Sequence, residues 1–340
     1  MSDLTTLLHQ QLSEAQGNCL WVADEHPMQT IAAPAKGQVL TNRFDVAEQL
    51  TLSGWSCTFN DFDFDALPES HYDTIVYRVS KERAVSHHVI NQASEKLSPQ
   101  GQLILLGHKQ EGIKSYLSQA KKRFGHGEQS KVAGDLWLGR FEASSSLGKA
   151  LDDKHYSHLR QGEIKGHSGY WSKPGVYGWN KVDQGSALLV NVVKQQLADT
   201  PKAAHLLDLG CGYGYLSLNL NHLAGATTAT DNNAAAIAAC QANLAEAPNT
   251  QVIAANAGTG LTTKHFDLLV CNPPFHAGFD TSNDLTEKFL RAAHELLSPQ
   301  GHAYFVTNLH VPLEQKAAAY FSKVETLETT PHFRISRLKT

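Results

Sequence analysis

Cysteine is scarce in this chain and badly spaced for pairing. Cys19, Cys57, Cys211, Cys240 and Cys271 are scattered, and the nearest two lie 29 residues apart. That spacing excludes a zinc knuckle and a dense disulfide framework. Long hydrophobic runs are missing too. Stretches such as Leu103 to Leu106 fall far short of the roughly 20 apolar residues that span a bilayer. The N-terminal segment MSDLTTLLHQQLSEAQ has no basic stretch followed by an apolar block, so no signal peptide is read. There is no excess of positive charge: 29 Lys and Arg stand against 33 Asp and Glu, a net charge of −4. A uniformly basic nucleic-acid-binding coat is thereby excluded, although a local basic patch is not. The 18 histidines form no H-E-x-x-H or comparable spacing, so no metal site is expected. These absences describe a cytoplasmic chain with no membrane partner. What is present is ample core: 340 residues, 41% hydrophobic and 18% charged, too long for one ordinary domain and sufficient for two.

The strongest large-scale signal is internal repetition. LSPQG occurs at 97–101 and again at 297–301, each time after a helix-like stretch (84–96 and 285–296) and before a buried-strand run. Upstream, YDTIVYRVSK at 72–81 matches FDLLVCNPPF at 266–275. Two matched blocks in one order argue for duplication. Glu142 to Lys154 is polar and rich in small residues, as linkers are. The resulting division is a first domain over 1–145, a linker over 146–170 and a second domain over 171–340. In the second half, AHLLDLG, ATTATD, QVIAAN, FDLLVCN and HAYFVTN alternate with helical patterns. Continuous apolar strands between helices predict an α/β fold, a doubly wound parallel sheet with helices on both faces. The basic stretch HFRISRLKT is placed as an antiparallel edge strand.

Asp208-Leu-Gly-Cys-Gly-Tyr-Gly214 falls where the first of these strands turns into a helix, with glycines at Gly210, Gly212 and Gly214. Tyr215 stands where a dinucleotide fingerprint would require glycine. Glycines at such a turn admit a ligand close to the backbone, and the helix start offers N–H groups. A plain tight turn would look the same. The next strand ends at Asp231, from which a carboxylate can accept both hydroxyls of an adenosine ribose; the alternative is a helix cap. Together the two features point to an adenosine-containing ligand. Asn272-Pro273-Pro274-Phe275 then ends the strand FDLLVC. The Asn272 amide oxygen and the Pro273 carbonyl could hold the two hydrogens of a planar NH₂ group, with Phe275 stacked on its ring. A structural Pro-Pro turn before a core Phe is the other reading.

With these motifs in this order, the sequence resembles the class I S-adenosylmethionine-dependent methyltransferases of the N-P-P-[FYW] group. Within them it is similar to the RsmC family of 16S rRNA guanine-N2 methyltransferases, on PGVYGWNKVDQGSALLV (174–190), LLDLGCGYGYL (206–216), NPPFHAGFDT (272–281) and the preceding half-length copy. The resemblance covers nearly the whole chain. It implies two tandem methyltransferase-like (Rossmann-like) domains, the first degenerate. S-adenosyl-L-methionine is the implied cofactor, 16S rRNA or the small ribosomal subunit the implied partner, and a monomer the implied state. It makes Asp208, Gly210, Gly212, Gly214 and Asp231 cofactor residues and gives residues 272 to 275 the target base. Asn256 is placed against the adenine, and Asp183 and Gly185 border the cofactor or form a helix cap and turn. A general-base role for His276 and a plain surface position are both open.

The first copy departs from the pattern. It has Arg78-Val-Ser-Lys81 opposite residues 272–275, and LWVADEHP (20–27), with no glycine, opposite the glycine loop. It is read as a fold without catalysis that stabilises the second half and grips RNA. Lys154 to Lys181 carries five Lys and Arg against one Glu, interleaved with Tyr156, Tyr170, Trp171, Tyr177 and Trp179. Basic residues neutralise phosphates and aromatics stack on splayed bases; Lys121, Lys122, Arg123 and Lys131 form a second cluster. A solvated linker is the competing reading. The expected reaction is methyl transfer to guanine N2, with adenine N6 or a protein glutamine as alternative acceptors and a non-catalytic RNA-assembly factor as a further alternative.

Overall fold

The computed structural model describes residues 4–24, 31, 33–164, 167–274 and 282–340. The chain divides into two compact units, residues 1–158 and 159–340. In the first, β1 (Cys19–Ala23), β2 (Gly37–Thr41), β3 (Ser56–Phe59), β4 (Tyr72–Arg78), β5 (Leu97–His108), β6 (Glu128–Ala133) and β7 (Leu136–Glu142) form one sheet of order β3-β2-β1-β4-β5-β7-β6. Its helices are α1 (Leu4–Ser13), α2 (Phe44–Leu52), α3 (Arg83–Lys96) and α4 (Ile113–Phe124). The second unit opens with a hairpin, β8 (Arg160–Ile164) and β9 (His167–Ser172). Its strands β10 (Ala203–Leu209), β11 (Ala224–Asp231), β12 (Thr250–Ala254), β13 (Phe266–Cys271), β14 (Leu297–Asn308), β15 (Lys323–Thr329) and β16 (Phe333–Lys339) form a sheet of order β12-β11-β10-β13-β14-β16-β15. Helices α5 (Gln184–Gln196), α6 (Tyr215–Leu220), α7 (Ala234–Asn243), α8 (Ser282–Leu296) and α9 (Leu313–Ala317) complete it.

The strand orders are the same, and the duplication read from LSPQG is therefore a duplication of architecture. The anchoring side chains repeat as well. Ser98 Oγ donates to Asp73 at 2.9 Å, and Ser298 Oγ donates to Asp267 at 3.0 Å. A Cβ on Gly101 would come within 2.5 Å of the Tyr72 carbonyl, and one on Gly301 within 2.8 Å of the Phe266 carbonyl. The shared glycine is thus required by the close passage of the neighbouring strand.

Strand periodicity of two explains why both sheets take helices on both faces. Leu206, Leu268, Val270 and Tyr304 pack on one face with α5, α6 and α7 residues; Leu207, Leu209, Leu269, Cys271 and Phe305 pack on the other with Phe289, Leu290 and Ala293 of α8. Each such fully buried Leu or Phe contributes about 1.5–3 kcal/mol.

Two expectations need correction. The stretch HFRISRLKT becomes β16, antiparallel to β14, but it is not the edge: β15 lies outside it. KVETLET alternates too weakly to declare itself, with no buried residue along its length. The region 146–170 is also not a free linker. Leu151 N donates to Asn91 Oδ1 at 2.9 Å, Asn91 Nδ2 returns a bond to the Leu151 carbonyl at 3.0 Å, and the buried Tyr156 donates to Asp61 at 2.5 Å. Residues up to 158 belong to the first unit, and 160–172 form the hairpin of the second. Specific side chains, invisible to composition, convert a polar stretch into a strap.

Candidate active site

In the second sheet β10 is flanked by β11 and β13, and the chain reverses its direction of winding on either side of it. Ligands of open α/β sheets bind beyond the carboxyl ends of strands at such a switch point. Asp208 lies opposite Ala229 on one side and Val270 on the other. The glycine loop, Asp231 and Asn272 therefore leave the sheet side by side.

All three loop glycines have left-handed backbones, with φ of +83° at Gly210, +53° at Gly212 and +87° at Gly214. Their surroundings differ. A Cβ on Gly214 would stand 2.8 Å from Cys240 Sγ, and one on Gly210 3.2 Å from the Phe289 ring, whereas one on Gly212 would meet nothing within 4 Å among the described residues. Gly210 and Gly214 thus let the loop seat against α8 and α7, and Gly212 is the glycine with open space before it. Asp231 ties this loop down: its Oδ2 accepts from Gly212 N and its Oδ1 from Asn233 N, both at 2.9 Å. It is not the cap of α7. Asn233 has that role, accepting from Ala235 N at 2.9 Å, while its Nδ2 donates to the Gly175 carbonyl at 3.0 Å.

Asp208 is completely buried beneath the loop. Its Oδ2 takes both Ser217 donors, the backbone N at 2.9 Å and Oγ at 2.7 Å; its Oδ1 has no partner among the described residues. Burial pushes its pKa up to about 7 against the bonds from Ser217, and the nearby Asp231 charge adds to the rise. The open space at Gly212, with the Asp231 carboxylate beside it, is suited to a hydrogen-bond-donating ligand. It fits a molecule such as S-adenosylmethionine, whose ribose hydroxyls would fall to Asp231.

Asn272 follows β13 directly. Its Nδ2 donates to Asp183 Oδ2 at 2.9 Å and to Ser186 Oγ at 2.8 Å. Pro273 is buried and Pro274 exposed, as a turn leaving the sheet requires; Phe275 and His276 lie outside the described residues. Asp183 is the N-cap of α5, accepting from Ser186 N at 2.8 Å, and also accepts from the exposed Tyr177 hydroxyl at 3.2 Å. The structure thus joins Asp183 to Asn272. Gly185 packs in the first turn of α5, where a Cβ would meet both Asp183 Oδ2 and the Phe333 ring at 3.1 Å. Asn256 lies just past β12: its carbonyl accepts from Thr259, and its Oδ1 accepts from Lys288 Nζ. Ser186, Ser217 and Lys288 were not singled out in the sequence, since a helical Ser or Lys carries no local signal of its partner.

The basic clusters separate on inspection. Lys121, Lys122 and Lys131 are exposed, but Arg123 is buried and donates to the Gly148 carbonyl at 2.6 Å. Arg123 therefore secures the strap and is removed from the RNA-facing candidates. Tyr156, Tyr170 and Lys173 are buried likewise, whereas Tyr177, Trp171 and Lys181 are exposed. Among the described residues no group of three His, Cys, Asp or Glu is arranged to hold a metal ion, and no helix is long and apolar enough to cross a membrane.

A sheet with a glycine loop at its switch point and an Asn-Pro-Pro turn on the adjacent strand is the arrangement expected of a methyltransferase class, and the family models show that class. The methyltransferase small domain matches residues 168–337, and the methyltransferase small domain N-terminal region matches 7–130. The chain belongs to this family. Among curated proteins it is similar to ribosomal RNA small subunit methyltransferase C of Shewanella pealeana, 28% identical over 267 residues that cover 78% of this chain and 76% of that one. The Shewanella piezotolerans protein of the same name is 27% identical over equal coverage. Among solved structures, the T. thermophilus 16S rRNA N2 G1207 methyltransferase (RsmC), in complex with AdoMet and guanosine, matches with a TM-score of 0.83. That match is 23% identical and covers 100% of this chain and 92% of the other, so the two-unit fold is shared throughout.

Proposed function

We propose that this protein transfers a methyl group from S-adenosyl-L-methionine to the exocyclic N2 of a guanine in 16S rRNA. The observation that carries the reading is the side-by-side exit of an open glycine loop, held by Asp231, and of Asn272, held by its amide nitrogen. Holding Asn272 by Nδ2 turns its Oδ1 to the opposite side as an acceptor. The relatives named for rRNA methylation, and the T. thermophilus complex with AdoMet and guanosine, support this choice of cofactor and acceptor.

When bound, the cofactor supplies an electrophilic methyl on a sulfonium. The residues of this chain position the acceptor. A guanine N2 is a poor nucleophile because its lone pair is delocalised into the ring. Asn272 Oδ1 and the Pro273 carbonyl would accept its two N–H groups and favour the pyramidal amine as the N–C bond forms. Asp231 would accept the ribose hydroxyls, and Asp208, bonded to both Ser217 donors, would hold the start of α6 behind the glycine loop. The base must be unstacked to reach this pocket. The first unit, with Lys121 and Lys122 on its surface, would hold RNA without catalysing.

Incubation with labelled S-adenosylmethionine and either free 16S rRNA, small subunits, DNA or protein tests the reading. Label on a guanine N2 is expected. Label on adenine N6 or on a glutamine side chain would replace it.

A further inference from the structure

The sequence offers Asp183 only as a helix cap or a neighbour of the cofactor. Its geometry suggests a different task, one that rests on the proposed reaction. An asparagine amide has two ends of nearly equal size, one donating and one accepting. A turn that presents Asn272 to a target amine works only if the oxygen faces that amine. Nothing in Asn272 itself selects this orientation. Asp183 does. A carboxylate accepts and cannot donate, so the Asn272 end lying 2.9 Å from Asp183 Oδ2 must be the NH₂. The serine hydroxyl at 2.8 Å from the same nitrogen could face either end and is no arbiter.

We infer that Asp183 is a positioning residue that locks the amide of Asn272 in its acceptor-outward orientation, and so sets the polarity of the site toward amine substrates. Three bonds hold Asp183 itself: Ser186 N at 2.8 Å and Asn272 Nδ2 on Oδ2, and the Tyr177 hydroxyl at 3.2 Å on Oδ1. The α5 cap and the Tyr177 hydroxyl fix the carboxylate, and the carboxylate fixes the amide. Asn272 Nδ2 also gives up hydrogen-bonding capacity to a charged group, and that polarises its carbonyl as a better acceptor.

The test exploits the near equivalence of Ser, Asn and Asp as caps. Asp183→Ser retains the cap through its hydroxyl but is too short to hold Asn272 as well, which frees the amide to turn its NH₂ toward the substrate. We expect nearly unchanged S-adenosylmethionine affinity and thermal stability with kcat lowered about 10²-fold, the scale for a misplaced reacting group. Asp183→Asn is the conservative control: Oδ2 accepts from both Ser186 N and Asn272 Nδ2, so an amide oxygen in that place keeps cap and lock together, and activity should stay within about tenfold of the parent. Asn272→Asp should also fail, because two carboxylates then face each other. Full activity in Asp183→Ser, or an Asp183→Asn variant no better than Asp183→Ser, would overturn the inference. Failure of the parent protein to methylate any amine would overturn the proposed function instead. The orientation is then still read directly by NMR: the Asn272 side-chain NH₂ should exchange slowly in the parent and rapidly in Asp183→Ala. Rapid exchange in the parent would show that no such lock exists.

Discussion

The two units share one strand order, and what differs is how their strand ends are finished. In the second, Asp208, Asp231 and Asn272 occupy three adjacent strands at the mouth of the sheet. Register places Trp21, Thr41 and Arg78 at the same points of the first, because Trp21 pairs with Val39 and Val76 as Asp208 pairs with Ala229 and Val270. Trp21 is fully buried against Trp55, with ring centroids 5.5 Å apart. Thr41 accepts from Arg43 N at 3.1 Å. Arg78 pairs with the buried Glu111 at 2.7 Å, and Glu111 also accepts from His108 N at 2.7 Å. The first unit fills these positions with its own groups, although Trp21 Nε1, like Asp208 Oδ1, has no hydrogen-bond partner among the described residues. In the second, among the described residues, Gly212 faces open space and Asn272 is hydrogen-bonded through its amide nitrogen. One framework can therefore be filled for stability or left open for a ligand, and binding sites are drawn from the second kind.

The sharpest way to break this contrast is at Asp208, whose counterpart Trp21 does not titrate as an acid. With its folded pKa at about 7 and an ordinary value near 3.9, the folded state binds more protons than the unfolded between about pH 4 and 7. Stability should therefore fall as pH rises through that window, by on the order of 4 kcal/mol at most. Urea denaturation at pH 4.5 and 8 should show the parent losing more than Asp208→Asn. Equal losses would mean that Asp208 titrates normally. Next in size is Arg78→Ala, which leaves Glu111 charged and buried and should cost about 3–5 kcal/mol in the same assay. A change below 1 kcal/mol would deny that the first unit is closed by this pair.

Much of this contrast was legible in the sequence, and the reason is local. The glycine loop, Asp231, the Asn-Pro-Pro turn and the LSPQG repeat each announce themselves in a few adjacent residues whose backbone demands are specific. The missing glycines of 20–27 announce the closed unit equally well. The polar strand β15, the strap held by Asn91 and Arg123, and the Asp183–Asn272 bond were not legible. Each depends on partners between 12 and 89 residues apart whose pairing leaves no mark on local composition. Arg123 shows the hazard. In a Lys-Lys-Arg run it reads as an RNA contact, yet helical periodicity turns it inward while its two neighbours face solvent.

The catalytic side of the comparison is sharpened by Asn272→Ala. Removing one preorganised acceptor should lower turnover about 10²–10³-fold, roughly 2.7–4 kcal/mol, while calorimetry finds S-adenosylmethionine binding nearly intact. Loss of cofactor binding would move Asn272 into the cofactor pocket. Asp231→Ala should do the reverse, weakening the cofactor by about 1.5–3 kcal/mol, the range for hydrogen bonds to a charged group. A folded variant with parental affinity would leave Asp231 as a tether for Gly212 N alone.

The smallest effect belongs to the first unit's surface. The net charge of −4 gives no general attraction to RNA, so any grip must be local. Lys121 and Lys122 end α4 with exposed side chains, whereas Arg123 is spent on the strap. Replacing both lysines with Ala should weaken RNA binding alike across sequences, because phosphate contacts carry no base information. The slope of log affinity against log salt should flatten by about 0.7–0.9 per lost contact, with cofactor affinity untouched. Arg123→Ala should behave differently: its cost should appear in stability, through the freed 144–148 segment, and leave the salt slope in place. A double-lysine variant with the parental slope would show this face to be solvated surface, and a flattened slope in Arg123→Ala would return that residue to the RNA.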